Sequence, residues 1–251
     1  MKKRKRVKGK MAMVLMCMAV LIFVNCLTAV GNWEEVSIIK KEYSNQRRHN
    51  EIQIFYPQIQ GLDDEGKEKR INYQIRKDAT RLVSGIVYEK DNLWHNLDYE
   101  IKFLNGKMIS VCYKGRSGAT IAVERGWPNI LTTTVDIEEG KILRLKDVVT
   151  DLDKLCEMLV DDEFEGITKW EGVAGNTVSQ NYRYTKQDVE GMTERMKGGW
   201  TAGSVINFDW YTDGSRFVIV MSEWYTYDEF AIDLSEVEDI LDSEFLEKLG
   251  R

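Results

Sequence analysis

Residues 127–149 restrict the fold more than any other stretch, because they predict a β-hairpin that leads into a helix. From 130 to 137 the residues alternate with the period of two that is typical of a half-buried strand, and most of them are β-branched. The glycine-bearing segment 138–141 predicts a tight turn, after which Ile142, Leu143 and Leu145 can return beside the first strand. No residue of this hairpin carries chemistry by itself, so it indicates an architecture and not a reaction.

The rest of the chain predicts an α+β fold, with a mainly antiparallel sheet built from hairpins and packed by three or four helices. Strands are predicted at 35–43, 51–56, 98–113, 205–211 with 217–221, and 230–234. Asn105-Gly106 predicts a type I′ turn in the hairpin 98–113, and the mismatch of apolar and polar residues across it indicates a bulge in the second strand. Helices are predicted from Ile71 to about Tyr88, after a Thr150 cap, at 185–197, and after a capping box of Ser235 and Glu238. We expect one domain over 32–251, with a first half at about 32–126 and a second at about 127–251.

Residues 1–31 are predicted to lie outside this domain, as a signal peptide or an N-terminal membrane anchor. A cationic start precedes an apolar run over residues 11–30. The small residues Ala29 and Gly31 favour cleavage after Gly31, whereas an apolar run of roughly 20 residues can also span a bilayer. Both alternatives place the domain outside the cytoplasm, either secreted or anchored to the cell membrane.

The charge distribution restricts the class of partner. The chain has a net charge of −6, but the seven Lys and Arg of residues 1–10 are the only charges before Glu34, so the remainder carries −13. An acidic body argues against nucleic acid, whose phosphates require a basic surface. It would suit a basic partner through electrostatic steering, although acidic surfaces also simply keep proteins soluble.

Catalytic and metal sites find little support in the sequence. The only histidines, His49 and His95, lie in polar connecting sequence and are expected to be exposed, and no GxSxG, HExxH or P-loop motif is present. Cys112 and Cys156 sit at apolar positions and are read as buried free thiols, with a disulfide as the alternative. The acidic run 161–165 lacks the glycine turn of a calcium loop. We therefore expect no catalytic residues, no metal and no cofactor.

Aromatic residues are the best functional lead, because flat rings can stack on sugars or anchor a protein interface. Alternation assigns Trp210 to the core with Phe208 and Ile206. The candidate ligand-binding residues, expected to be exposed, are Trp200, Trp224, Tyr225 and Tyr227.

Three blocks of the sequence resemble a known domain family. They are YPQIQGL at 56–62 followed by Ile71-Asn72 and Ile75, TTTVDIEEGKILRLKDVV at 132–149, and WYTDG at 210–214 with YDEFAIDLSEV at 227–237. In this order they resemble the extracytoplasmic domain shared by the peptidoglycan deacetylase PdaC and the anti-sigma factor RsiV, over roughly residues 50–241. The resemblance implies an α+β domain outside the membrane of Gram-positive bacteria, in a family largely of unknown function, whose RsiV-like members bind lysozyme.

Two differences from that family restrict the function that we expect for this chain. No deacetylase domain follows, and the cationic start of ten residues is too short for a sigma-binding segment. We therefore expect a non-catalytic binding or sensing module of the cell envelope that recognises a lysozyme-like basic protein or peptidoglycan fragments. A carboxylate-dependent cell-wall hydrolase and a structural envelope protein remain the alternatives. The sequence does not define the ligand or the oligomeric state.

Overall fold

Strand pairing defines the architecture of this chain. The computed structural model describes residues 36–47, 50–84, 93–119, 126–168, 170–171, 177–178, 196, 206–223 and 226–251. The strands in this part of the chain are β1 (Ser37–Arg47), β2 (Asn50–Gln60), β3 (Leu93–Leu104), β4 (Met108–Ala119), β5 (Trp127–Asp136), β6 (Lys141–Leu143), β7 (Glu165–Gly166), β8 (Trp170–Glu171), β9 (Thr177–Val178), β10 (Ile206–Thr212), β11 (Arg216–Glu223) and β12 (Thr226–Asp233). The helices there are α1 (Glu65–Ala79), α2 (Arg81–Ser84), α3 (Leu145–Val148), α4 (Leu152–Val160), α5 (Leu234–Val237), a 3-10 turn (Glu238–Ile240) and α6 (Ser243–Leu249).

Two sheets carry most of these strands. The first has the order β1-β2-β3-β4-β5-β6, and the second has the order β10-β11-β12-β7. A separate pair joins β8 to β9. Strands β2 and β3 run parallel because the chain between them contains α1 and α2, whereas the pairs from β3 to β6 and throughout the second sheet are antiparallel. This confirms the predicted α+β fold with mainly antiparallel sheet.

The hairpin of residues 127–149 is confirmed as β5 and β6 followed by α3, and it lies at the centre of the layers. β5 was expected to be half-buried, but every residue from Ile130 to Asp136 is buried. The reason is that both of its faces are covered. Thr133 on one face contacts Asp78 of α1, whereas Ile130 on the other face packs with Tyr211 and Val218 of the second sheet.

The layers therefore follow the order α1, first sheet, second sheet, and then the helices α3 to α6. The outer face of the second sheet contributes Trp210, Phe217 and Ile219 to a core that also contains Leu155 of α4 and Phe245 of α6. Trp210 stacks on Phe217 with ring centroids 5.4 Å apart and meets Phe245 edge to face. The core position predicted for Trp210 and Phe208 is thus confirmed. Helix α1 and the helices α3 to α6 form opposite outer layers of the domain.

Several local predictions about strands and turns were wrong. β2 continues through Pro57 to Gln60. Asn105 and Gly106 do not form a type I′ turn, because neither has a positive φ. Instead, the Asn105 side chain accepts from the backbone N–H groups of Lys107 and Met108 and donates to the Lys248 carbonyl, so tertiary contacts select another turn. The predicted bulge exists, but it lies on β3, where the register shifts between Ile101 and Phe103.

Two predicted helix starts were also wrong. Asp151, not Thr150, caps α4 by accepting from the Lys154 N–H, while Thr150 donates to the Ile240 carbonyl. Ser235 does not begin one long terminal helix, because the chain forms α5, a 3-10 turn and then α6, which Asp242 caps. The predicted helix from Ile71 is likewise divided at Thr80 into α1 and α2.

Two cysteines and one histidine are buried in the domain. Cys112 and Cys156 are buried thiols that are not joined in a disulfide, as expected. His95 was expected in an exposed connection, but it lies within β3 and is only 7% exposed. Neither of its ring nitrogens has a hydrogen-bond partner among the described residues, and burial lowers its pKa to about 4. His95 is therefore a neutral core residue at pH 7. His49 lies outside the described residues.

Candidate functional site

Tyr227 is the member of the predicted aromatic group that the structure describes. Its ring is half-buried on β12, and the Nζ atom of Lys114 lies 5.9 Å from the ring centroid. Trp200, Trp224 and Tyr225 lie outside the described residues. The single exposed aromatic patch of these four residues therefore stays a prediction, with Tyr227 placed at the junction of the two sheets.

A buried carboxylate organises the surroundings of Tyr227. Glu229 lies two residues along β12 on the same face, with a side chain only 4% exposed. One of its oxygens accepts from Lys114 Nζ at 2.7 Å, and the other accepts from the Tyr211 hydroxyl at 2.9 Å. Both oxygens of this carboxylate are thus held by donors from the two facing sheets.

Cys112, Lys114, Tyr211 and Tyr227 keep their protons near neutral pH. Burial raises the pKa of Tyr227 and the pKa of Cys112 each to about 12, and it also raises the pKa of Tyr211. Burial alone would lower the pKa of Lys114, but the charge of Glu229 more than offsets this and raises it. The Cys112 thiol is therefore not a nucleophile at neutral pH, because a thiol reacts as its thiolate.

Three further carboxylates are matched by cations in the same way. Asp78 of α1 accepts from both terminal nitrogens of Arg144, at 3.0 and 3.1 Å. Asp136 of β5 accepts from Lys248 Nζ at 2.5 Å, with side chains 0% and 9% exposed respectively. Asp209 of β10 pairs with Arg81, and burial lowers the pKa of this arginine to about 10. These carboxylates have the geometry of structural ion pairs, because a general acid or base needs an oxygen that can reach a substrate.

A small cleft marks the edge of the first sheet where β6 ends. Because β6 has only three residues, part of the β5 edge has no strand beside it, and Asp209 accepts from the Thr132 N–H there at 3.3 Å. The cleft has room for about one water molecule. Its lining residues include Thr134, Leu143, Phe208 and Trp210. It is too small to hold a sugar or a peptide.

Eleven exposed carboxylates lie on one outer layer of the domain. The exposed carboxylates there, on or beside α4 and within α5, the 3-10 turn and α6, are Asp151, Asp153, Glu157, Asp161, Asp162, Glu163, Glu236, Glu238, Asp239, Glu244 and Glu247. We call this set the acidic layer. The two parts are joined, since Lys154 pairs with Asp239 and the Thr150 N–H donates to the Ile240 carbonyl at 2.8 Å. Sequence analysis missed this grouping because the two segments are far apart along the chain.

The acidic run 161–165 has a structural role at the end of α4. Asp161 is the C-cap residue, Asp162 adopts a left-handed conformation with φ 59°, and the Glu163 N–H donates to the Met158 carbonyl at 3.1 Å. No group of three His, Cys, Asp or Glu side chains suited to a metal ion occurs among the residues with described positions.

Comparison with protein-family models and with curated proteins gives no match to this sequence. Comparison with solved structures does find similar chains. The structural neighbours are DUF3298 family proteins. One, from Bacteroides fragilis, has 11% sequence identity and a TM-score of 0.46, with 86% of this chain and 96% of that chain covered. Another, from Pseudomonas aeruginosa, has 11% identity and a TM-score of 0.43, with 85% and 95% covered.

Within the described ranges, no helix is long and apolar enough to cross a membrane, and the predicted membrane segment, residues 1–31, lies outside those ranges.

Glu229 was missed in the sequence because the last strand was predicted to begin at Phe230. Had that strand begun at Thr226, alternation would have placed Tyr227, Glu229 and Ala231 on one face.

Proposed function

We propose that this protein is a non-catalytic, extracytoplasmic binding or sensing module of the Gram-positive cell envelope that recognises a lysozyme-like basic protein. The observation that carries the proposal is the acidic layer, which gathers exposed carboxylates of α4 and the C-terminal helices on one side of the domain. The resemblance to the PdaC/RsiV-like domain family supports the same class of ligand.

Electrostatics explains why such a layer suits a basic protein. Carboxylates grouped on one outer layer produce a directional field, which raises the association rate with a cationic partner and orients the encounter. Among the described residues, four cations pair with carboxylates of this layer, and they are Lys107, Lys154, Lys248 and Arg251. The field should therefore remain negative at neutral pH and weaken with added salt.

Four carboxylates inside the domain support the non-catalytic part of the proposal. Asp78, Asp136 and Glu229 are buried, Asp209 is partly buried, and each of the four contacts a cation. A hydrolase that uses two carboxylates needs one that donates a proton and one that attacks or activates water. We accordingly expect that the protein releases no soluble fragments from peptidoglycan, and sustained release would contradict this part of the proposal.

The location outside the cytoplasm rests on the cationic and apolar residues 1–31. Those residues have the pattern of an export signal or an anchor, and both alternatives expose the domain to partners outside the cell. This location also places the acidic layer where a secreted basic protein could reach it.

Calorimetry with hen-type lysozyme tests the proposal. The full-length protein, held in nanodiscs of zwitterionic lipid, should bind lysozyme at low salt, and binding should weaken as salt increases. Replacing Glu157, Glu163 and Glu236 by Lys should weaken binding about tenfold or more. The matched control replaces Glu42, Glu51 and Asp63 by Lys, which changes the net charge equally on other exposed surfaces.

Two results would contradict the proposal. One is the absence of binding to lysozyme at low salt by the folded protein. The other is equal weakening in the acidic-layer variant and in the control, since that result would reflect net charge and not a surface. Muropeptides serve as comparison ligands, and binding to them alone would favour peptidoglycan recognition instead.

A further inference from the structure

The outer face of α1 differs in charge from the rest of this acidic domain. Its inner face buries Ile71, Ile75 and Ala79 against the first sheet. One helical turn apart on the outer face lie five exposed residues, Lys69, Arg70, Tyr73, Arg76 and Lys77. We call these residues the basic stripe. It carries four cations, and Glu65 lies one turn before Lys69 on the same face.

Contacts within the domain leave the basic stripe accessible. Lys69 lies 3.2 Å from Glu65, but both side chains are more than three-quarters exposed, so solvent screens this pair. Arg76 lies over the ring of Tyr43, with its guanidinium carbon 5.8 Å from the ring centroid. Tyr73, at the centre of the stripe, is 64% exposed and is the most exposed large apolar side chain in the described part of the chain.

The order of the layers places the basic stripe and the acidic layer on opposite sides of the domain. α1 covers one face of the first sheet, and the second sheet with α3 to α6 covers the other. The α1 side therefore carries the cations of the basic stripe, with the exposed carboxylates of Asp63, Asp64 and Glu65 where α1 begins, and the opposite side carries the acidic layer. An anionic plane would attract the basic stripe and repel the acidic layer, which would favour one orientation.

We propose that the basic stripe docks α1 on an anionic lipid bilayer surface, with the acidic layer directed away from the membrane. The chemistry fits a bilayer in two respects. Four cations along about 12 Å of helix match a plane of anionic headgroups. A tyrosine among them has the amphipathic ring that prefers the headgroup boundary. The inference rests on the proposed location outside the cytoplasm but not on the proposed ligand of the acidic layer.

Lysine footprinting of the full-length protein tests this docking. The protein is placed in vesicles of phosphatidylcholine or of an equal mixture with phosphatidylglycerol, and a membrane-impermeant acetylating reagent is added. Lys69 and Lys77 should react about five-fold more slowly in the anionic vesicles, and high salt should remove the difference. Lys154, on the opposite layer, should react equally in both and is the internal control.

A pair of variants keeps both reporter lysines in place. Replacing Arg70 and Arg76 by Gln removes half of the cations of the stripe and should abolish most of the protection. The matched control replaces the exposed Lys41 and Lys146 by Gln and should retain it. Equal rates in both vesicles, or equal protection of Lys154, would overturn the proposal. Protection by soluble polyphosphate in phosphatidylcholine vesicles, without protection by phosphatidylglycerol, would reassign the stripe to a free polyanion and overturn the membrane assignment.

Discussion

At the scale of single residues, Glu229 and His95 are two buried polar side chains that differ in their hydrogen bonds. Glu229 is tolerated between two sheets because Lys114 and Tyr211 donate to its two oxygens. Within the part of the chain that the structure describes, no such partner contacts either ring nitrogen of His95. A buried polar group without a hydrogen bond costs free energy, and the charged form of the ring would cost more. We therefore expect acid to destabilise the domain by protonating His95.

The pKa of His95 predicts a specific loss of stability in acid. Its folded value of about 4 lies below the unfolded value of about 6.5, so the unfolded state binds the proton more readily. The contribution of His95 to the free energy of unfolding is therefore intact above about pH 6.5 and decreases as the pH falls to about 4, by about 3 kcal/mol. Urea denaturation of the wild type and of His95→Phe at both pH values measures this loss.

The outcome depends on the difference between the two proteins, because carboxylates also titrate in this range. Burial would raise the pKa of Asp213, but hydrogen bonds from Ser215 and Arg216 lower it to about 2, so most of its loss of stabilisation lies below pH 4 in both proteins. We expect His95→Phe to lose less stability in acid than the wild type, whereas His49→Gln, the control, should follow the wild type. An identical acid loss in His95→Phe and the wild type would contradict the buried position of the ring.

At the scale of elements, the hairpin of β5 and β6 connects layers that are distant in sequence. Asp136 at the end of β5 accepts from Lys248 of α6 and from the Glu139 N–H of the turn. Lys248 also contacts Glu244, and its carbonyl accepts from Asn105. Burial alone would lower the pKa of Lys248, but the two carboxylates raise it. One lysine thus fixes the C-terminal helix to two turns of the first sheet.

Removing this lysine should destabilise the domain. Lys248→Met leaves Asp136 buried without its cation, and we expect the free energy of unfolding to fall by about 3 kcal/mol. Lys107→Met, the control, removes an exposed pair with Glu247 at 3.6 Å and should change the free energy of unfolding by less than about 1 kcal/mol. Adding Asp136→Asn to Lys248→Met should restore part of the loss. Equal effects of the two lysine substitutions in urea denaturation would contradict the role of Lys248 in fixing α6 to the first sheet.

Elements with strong local patterns were predictable from the sequence, and long-range pairings were not. The alternation of β5 and the apolar spacing of α4 identify those elements, since each pattern is complete within a few residues. The parallel pairing of β2 with β3, the burial of His95 and the turn at Asn105 depend on contacts with distant segments. For the same reason, the sequence could indicate an acidic protein but not which side of it is acidic.

At the scale of the whole molecule, the order of the layers places the acidic layer and the basic stripe on opposite sides of the domain. The acidic layer and the basic stripe are each built from exposed faces of helices whose inner faces are buried. Either end could serve a partner without disturbing the core between them. The proposed binding of a basic protein at one end and of an anionic bilayer at the other would orient the ligand surface outward.

Zero-length crosslinking with a carbodiimide tests the central claim most directly, because it joins carboxylates to lysine amines in contact. The full-length protein in zwitterionic nanodiscs is crosslinked to lysozyme and analysed by mass spectrometry. We expect lysozyme amines joined to Glu157, Glu163 or Glu236, with few crosslinks to Glu42 and Glu51, which are also exposed. Crosslinks spread evenly over both groups, or concentrated on Glu42 and Glu51, would contradict recognition through the acidic layer.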